Sequence, residues 1–98
     1  MKFITFIQET EEKGAFWAKW IVFPDQLTHK FIAHTLLVKD PELRDYRVYA
    51  AGFVKPNLSQ PECYGESESL HNKPTSKQLR NSEKIMRMSG YGVVHLDE

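Results

Sequence analysis

Glu62-Cys63-Tyr64-Gly65-Glu66-Ser67-Glu68-Ser69-Leu70-His71 gathers most of the residue types in this chain that could do chemistry. Gly65, Ser67 and Ser69 suit an anion grip, because glycine lets backbone amides approach a ligand and serine hydroxyls add donors. Glu66 and Glu68 would repel an anion unless they point outward; as a carboxylate pair for hydrolysis they have no supporting partner, and they read as solvated. Cys63, the sole cysteine, would need an electropositive setting to act as a nucleophile. Glu62 and Glu66 disfavour its thiolate, so it reads as inert and partly buried. His71, in a polar loop, is the histidine best suited to acid–base or nucleophilic work. The plainer reading is an exposed side chain without a role.

The remaining histidines do not converge. His29 and His34 are five residues apart, roughly 140° round a helix. His34 falls on an apolar stripe and reads as a core residue; His29, one turn from Asp25, reads as a surface pair partner. His95 lies in the final apolar segment. Cys63 and His71 have no metal-motif spacing, and the phosphate-loop and dinucleotide glycine patterns are missing. Neither a metal nor a cofactor is expected. Lys77, Arg80, Lys84 and Arg87 would form one basic face if their helix starts early enough, able to meet phosphate or an acidic partner; the plainer reading is a solvated face. Asn57-Leu58-Ser59 matches the glycosylation triplet and reads as chance.

These residues need elements to position them. Residues 2–7, KFITFI, read as a strand covered on both faces, and AFWAKWIVF, residues 15–23, as a second strand antiparallel to it. Phe16, Ala18, Trp20 and Val22 would point to one side, and Trp17, Lys19, Ile21 and Phe23 to the other. Pro24 and Asp25 open a helix whose stripe is Leu27, Phe31, His34 and Val38, stopped before Pro41. YRVYAAGFV, residues 46–54, is a third strand, its small Ala50-Ala51-Gly52 centre marking a bulge or a close backbone approach. KPNLSQP, residues 55–61, is a turn, and ECYGES a short fourth strand entering a loop. A second helix lies in the later part of 75–89, with Ser82 as cap, Glu83 in the first turn and Gly90 as stop. YGVVHL, residues 91–96, is the last strand. The expectation is an α+β fold: a small mixed β-sheet with two helices, order β-β-α-β-β-α-β, in two layers.

The chain has 98 residues, 41% of them hydrophobic, enough for one core, so residues 1–98 read as a single domain. With 13 basic and 13 acidic side chains, a global field for nucleic acid is absent and no nucleic-acid partner is expected. No apolar run approaches a membrane span. The N-terminal apolar run is too short for a signal core, and one cysteine suits a reducing compartment; the expected location is cytoplasmic.

With that order in place, several strings resemble the phosphohistidine phosphatase (Janus/Ocnus) family. Tyr64-Gly65-Glu66-Ser67 resembles its Tyr-Gly-x-Ser phosphate loop. Ser82-Glu83-Lys84-Ile85 resembles its Ser-Thr-Glu-Lys-Ile helix start, and Lys2-Phe3-Ile4 its first strand, whose lysine helps to hold phosphate. The resemblance spans about two thirds of the chain. It implies a small mixed sheet with two helices and a phosphate-sized pocket. The family's catalytic histidine ends a glycine-rich strand, where this chain reads Ala51-Gly52-Phe53-Val54-Lys55-Pro56, so the family's phosphatase activity is not implied.

The leading expectation is a non-catalytic binding or interaction domain for a phosphate-bearing ligand or partner, its site formed by Lys2, Tyr64, Gly65, Glu66, Ser67 and Ser69. One alternative is a phosphatase or phosphotransferase using His71. Another is a homodimeric interaction module built on a strand edge or an aromatic patch around Trp17 and Trp20.

Overall fold

The computed structural model describes residues 1–55, 60–88 and 92–96. Residues 56–59, which carry the Asn-Leu-Ser triplet of the turn expected at 55–61, and Ser89, Gly90 and Tyr91 lie outside the described residues. The elements are β1 (Lys2–Glu9), β2 (Ala15–Phe23), α1 (His29–Lys39), a 3-10 turn (Pro41–Asp45), β3 (Arg47–Val54), β4 (Cys63–Tyr64), α2 (Ser76–Met86) and β5 (Gly92–His95). This is the expected α+β order, with the 3-10 turn added.

The five strands form one sheet in the order β4-β3-β1-β2-β5. All four pairings are antiparallel, where a mixed sheet is expected. The reason is topological. β2 and β3 run the same way, joined by a helical crossover, but β1 is inserted between them and pairs antiparallel with both. β1 is therefore central, which explains its continuous apolar run: Phe3, Ile4, Thr5, Phe6 and Ile7 are all buried.

Alternating strand residues feed two cores. Phe3, Ile7, Phe16, Ala18, Ala50 and Val54 pack with Ile85 and Met86 of α2. Ile4, Phe6, Phe23 and Ala51 pack with Ala33 of α1 and Leu43 of the 3-10 turn. Side chains one residue apart on a strand point to opposite faces, so the helices cover opposite sides of the sheet. The domain has three layers, not two. Fully burying a phenylalanine such as Phe3 or Phe6 contributes about 1.5–3 kcal/mol, so both faces are anchored by the same strand.

The α1 stripe is corrected by the structure. Thr28 is the N-cap, its side chain accepting from the Phe31 amide at 3.1 Å, and Pro24–Leu27 form a turn closed by Leu27 N–H on Pro24 O. Asp25 instead meets the N-terminal ammonium at 3.3 Å. His29 and Ala33 are buried, with Ile32 and Leu36 packed against the core. Phe31 and Val38 are 58% and 70% exposed. Apolar residues fall on every side of this helix, so periodicity alone does not choose its buried face.

α2 also begins earlier than expected. Thr75 caps it with a complete capping box: its side chain accepts from the Gln78 amide while Gln78 accepts from the Thr75 amide. Ser82 is therefore not a cap but a buried mid-helix residue, bonded to Thr5 Oγ1 at 3.1 Å. The single Thr5 hydroxyl proton goes to Ala50 O at 3.2 Å, so Ser82 is the donor in the second bond. This pair pins α2 to the central strand. The β3 centre behaves as its small residues suggest. The β1–β3 register shifts between Thr5 and Phe6, and a Cβ on Gly52 would stand 2.7 Å from Tyr64 O. Only glycine allows this approach of β4.

Candidate functional site

That close approach builds one wall of a cavity of about 690 Å³, lined by Lys2, Thr28, His29, Phe53, Tyr64, Gly65, Glu66, Glu68 and Ser69. Four separated pieces of chain meet there: the start of β1, the N-terminus of α1, the end of β3, and β4 with the loop after it. Of the expected site residues, Lys2, Tyr64, Gly65, Glu66 and Ser69 line it; Ser67 does not. Ser67 is buried beneath the loop, where its backbone exchanges two hydrogen bonds with Asn72, at 2.9 and 3.0 Å, and its Oγ accepts from Leu70 N. It shapes the loop.

Two further bonds fix that loop to its surroundings. Asn72 Oδ1 accepts from Ala51 N at 3.0 Å, tying it to β3. Ser69 Oγ accepts from Lys30 N at 3.0 Å, tying it to α1. Having accepted there, the Ser69 hydroxyl keeps its own proton to donate. Gly65 turns the chain at φ 77°, and a Cβ on it would meet Phe53 Cδ1 at 3.0 Å.

The walls combine a cation with aromatic surface. Lys2 Nζ donates to Leu27 O at 2.9 Å and stands 5.9 Å from the Phe53 ring centroid. An ammonium has three donors, so two remain for a ligand. Phe53 and Tyr64 stack with centroids 5.8 Å apart and planes 24° from parallel. Tyr64 is 49% exposed, while Glu66 and Glu68 are exposed carboxylates of the same loop.

His29 belongs to this wall, which the sequence does not suggest. It is only 3% exposed, and Phe23 and Phe53 meet its ring edge to face. Its Nε2 is 2.9 Å from Gly52 O. A carbonyl only accepts, so Nε2 carries the proton and Nδ1 the lone pair. Burial pushes the His29 pKa below its ordinary value and Lys2 adds to this, against the opposing pull of the Gly52 and Phe3 carbonyls. The expected roles of His29 and His34 are thus exchanged: His34 is exposed. No sequence signal marked this: the Thr28 cap fixes where α1 starts, not which of its faces is buried.

The other candidates lie elsewhere. His71 is exposed at a positive φ of 52°, its amide bonded to Glu68 O, and does not line the cavity. Cys63 is buried against Met86 Sδ at 3.5 Å, and burial with Glu83 nearby raises its pKa to about 12. The thiol is buried, where a partly buried cysteine is expected. Lys77, Arg80, Lys84 and Arg87 are all exposed along α2; Lys84 Nζ donates to His95 O at 2.9 Å. Trp17 is 40% exposed, whereas Trp20 packs against the core on the opposite face of the sheet, so the two do not make one aromatic patch. Among the described residues no cluster of His, Cys, Asp or Glu could hold a metal ion, and no helix is long and apolar enough to cross a membrane.

Fold and site together define a three-layer α+β domain with a half-open cavity beside one end of its central strand. No family model, curated protein or solved structure matches the chain.

Proposed function

We propose that this domain binds a phosphate-bearing ligand in the cavity between Lys2 and the Tyr64–Ser69 loop. One observation carries the reading: Lys2, from the first strand, and Gly65 and Ser69, more than sixty residues away in sequence, line the same cavity. A lysine ammonium and a serine hydroxyl supply the donors that a phosphate monoester needs. The resemblance to the Janus/Ocnus family is part of this proposal, since it names the same lysine and the same loop. The test is a titration with inorganic phosphate followed by amide NMR. Gly65 and Ser69 shift at millimolar phosphate under this reading; unmoved signals there refute it.

A second reading, phosphoryl transfer or hydrolysis, is favoured by His29 rather than His71. His29 is a cavity-wall imidazole whose Nε2 proton is fixed on the Gly52 carbonyl. Such an imidazole can serve as a base. Hydrolysis of a phosphate monoester that is lost in His29→Gln and kept in His71→Ala would support it, whereas turnover unchanged in His29→Gln would exclude it.

A further inference from the structure

The cavity is much larger than a phosphate needs. At about 690 Å³ it has the volume of roughly twenty waters at ~30 Å³ each, and it falls within the ~300–1,000 Å³ of sites that enclose a whole small molecule. Besides Lys2 and Ser69, its lining includes aromatic rings and carboxylates that phosphate does not use. Phe53 and Tyr64 form a stacked aromatic pair, with Tyr64 half exposed as a platform. Flat aromatic surface is a stacking partner for a planar ring. Glu66 and Glu68 bring carboxyl oxygens, which accept hydrogen bonds. They disfavour further negative charge and favour a ligand part rich in hydroxyl or amino donors.

We propose that the ligand is a 5′-mononucleotide. This rests on the phosphate reading above and specifies the remainder of the molecule. Its phosphate meets Lys2 and Ser69, its base stacks on Tyr64, and its ribose hydroxyls donate to the Glu66 and Glu68 carboxylates. A planar base, a donor-bearing sugar and a terminal phosphate match the three kinds of wall, whereas a phosphorylated sugar leaves the aromatic surface bare and a nucleoside leaves Lys2 without an anion.

The experiment compares dissociation constants for AMP, GMP, CMP and UMP with those for ribose 5-phosphate and adenosine, by NMR titration of the full chain. At least one mononucleotide is expected to bind at least about tenfold more tightly than ribose 5-phosphate, the effect of one stacked base. In Tyr64→Leu that advantage disappears, with amide signals outside the loop reporting that the variant is folded; an advantage that persists there overturns stacking on Tyr64. If ribose 5-phosphate binds as tightly as every mononucleotide, the nucleotide proposal is overturned and the phosphate reading stands. If adenosine binds as tightly as AMP, both lose their basis, because the phosphate then contributes nothing. Binding of none of these ligands overturns both.

Discussion

Replacing Gly52 by alanine tests the backbone contact on which the cavity is built. The added Cβ would stand 2.7 Å from Tyr64 O, 3.3 Å from Phe3 Cε1 and 3.4 Å from the Gly65 carbonyl carbon. The closest atom is backbone, so no rotamer change relieves the clash; β4 must move away from β3 or the sheet must distort. Forcing an extra methyl into a packed site costs about 1–3 kcal/mol. Removing a strand glycine returns about 0.5–1 kcal/mol through the unfolded chain. The net expectation is a loss of about 1–2 kcal/mol. With a urea slope of ~1 kcal/mol/M for a small domain, the unfolding midpoint falls by ~1–2 M. Gly92→Ala is the control, since nothing lies within 4 Å of a Cβ there; it should be neutral or slightly stabilising. Urea unfolding followed by tryptophan fluorescence measures both. Equal stability of the two variants would refute the close-approach account, as would Gly52→Ala leaving the amide signals of Tyr64 and Gly65 in place.

Other consequences concern two buried titratable side chains, His29 and Cys63, and the loop. His29 has a folded pKa below its unfolded value, so the unfolded chain takes up its proton first as pH falls. Its stability contribution is therefore complete above about pH 6.5 and is lost as pH drops towards the depressed folded value; a urea series from pH 7.5 to 5 should show this decline, and His29→Gln should flatten it. The Cys63 thiol, moved from an ordinary 9.0 to about 12, has roughly a thousandfold less thiolate at pH 8 in the folded state than in the unfolded. Alkylation should consequently report unfolding, and rapid labelling in native buffer would contradict the burial described. Asn72→Ala leaves the Ala51 amide without its 3.0 Å acceptor, an expected cost of about 1–3 kcal/mol in urea unfolding, with faster amide exchange across residues 67–72; a cost near zero would mean that water replaces the side chain freely.

The succession of strands along the chain was legible because each carries its own signal, whereas their order in the sheet was not. β1 is apolar on both faces, as a central strand should be, and the alternation of β2 assigned its residues to the correct sides. The glycine in Ala50-Ala51-Gly52 announced the close contact with β4. The helices were harder for identifiable reasons. α1 has apolar residues all round, so its buried face depends on which residues reach Gly52 and Phe23. α2 has two possible starts, and the Thr75–Gln78 capping box outcompetes Ser82 because Ser82 is needed beneath the sheet by Thr5. The site shows the same division. Tyr64-Gly65 and Lys2 were visible as residue types, and their common cavity follows from β1 lying beside β3. His29 was not visible, because its burial is set by tertiary contacts with Phe23, Phe53 and the Gly52 carbonyl. Ser67 looked like a ligand donor, but its hydroxyl is used within the loop.

The ligand affinity of Lys2→Met tests the central claim most directly. Methionine keeps most of the length of the side chain and removes the ammonium, leaving Tyr64, Gly65 and Ser69 in their places. A charge-assisted hydrogen bond contributes about 1.5–3 kcal/mol when protected from solvent, and less at an open cavity such as this one, so phosphate should bind about three- to tenfold more weakly at constant ionic strength. An unchanged dissociation constant for inorganic phosphate, with the amide spectrum otherwise preserved, would contradict the assignment of this cavity as a phosphate site.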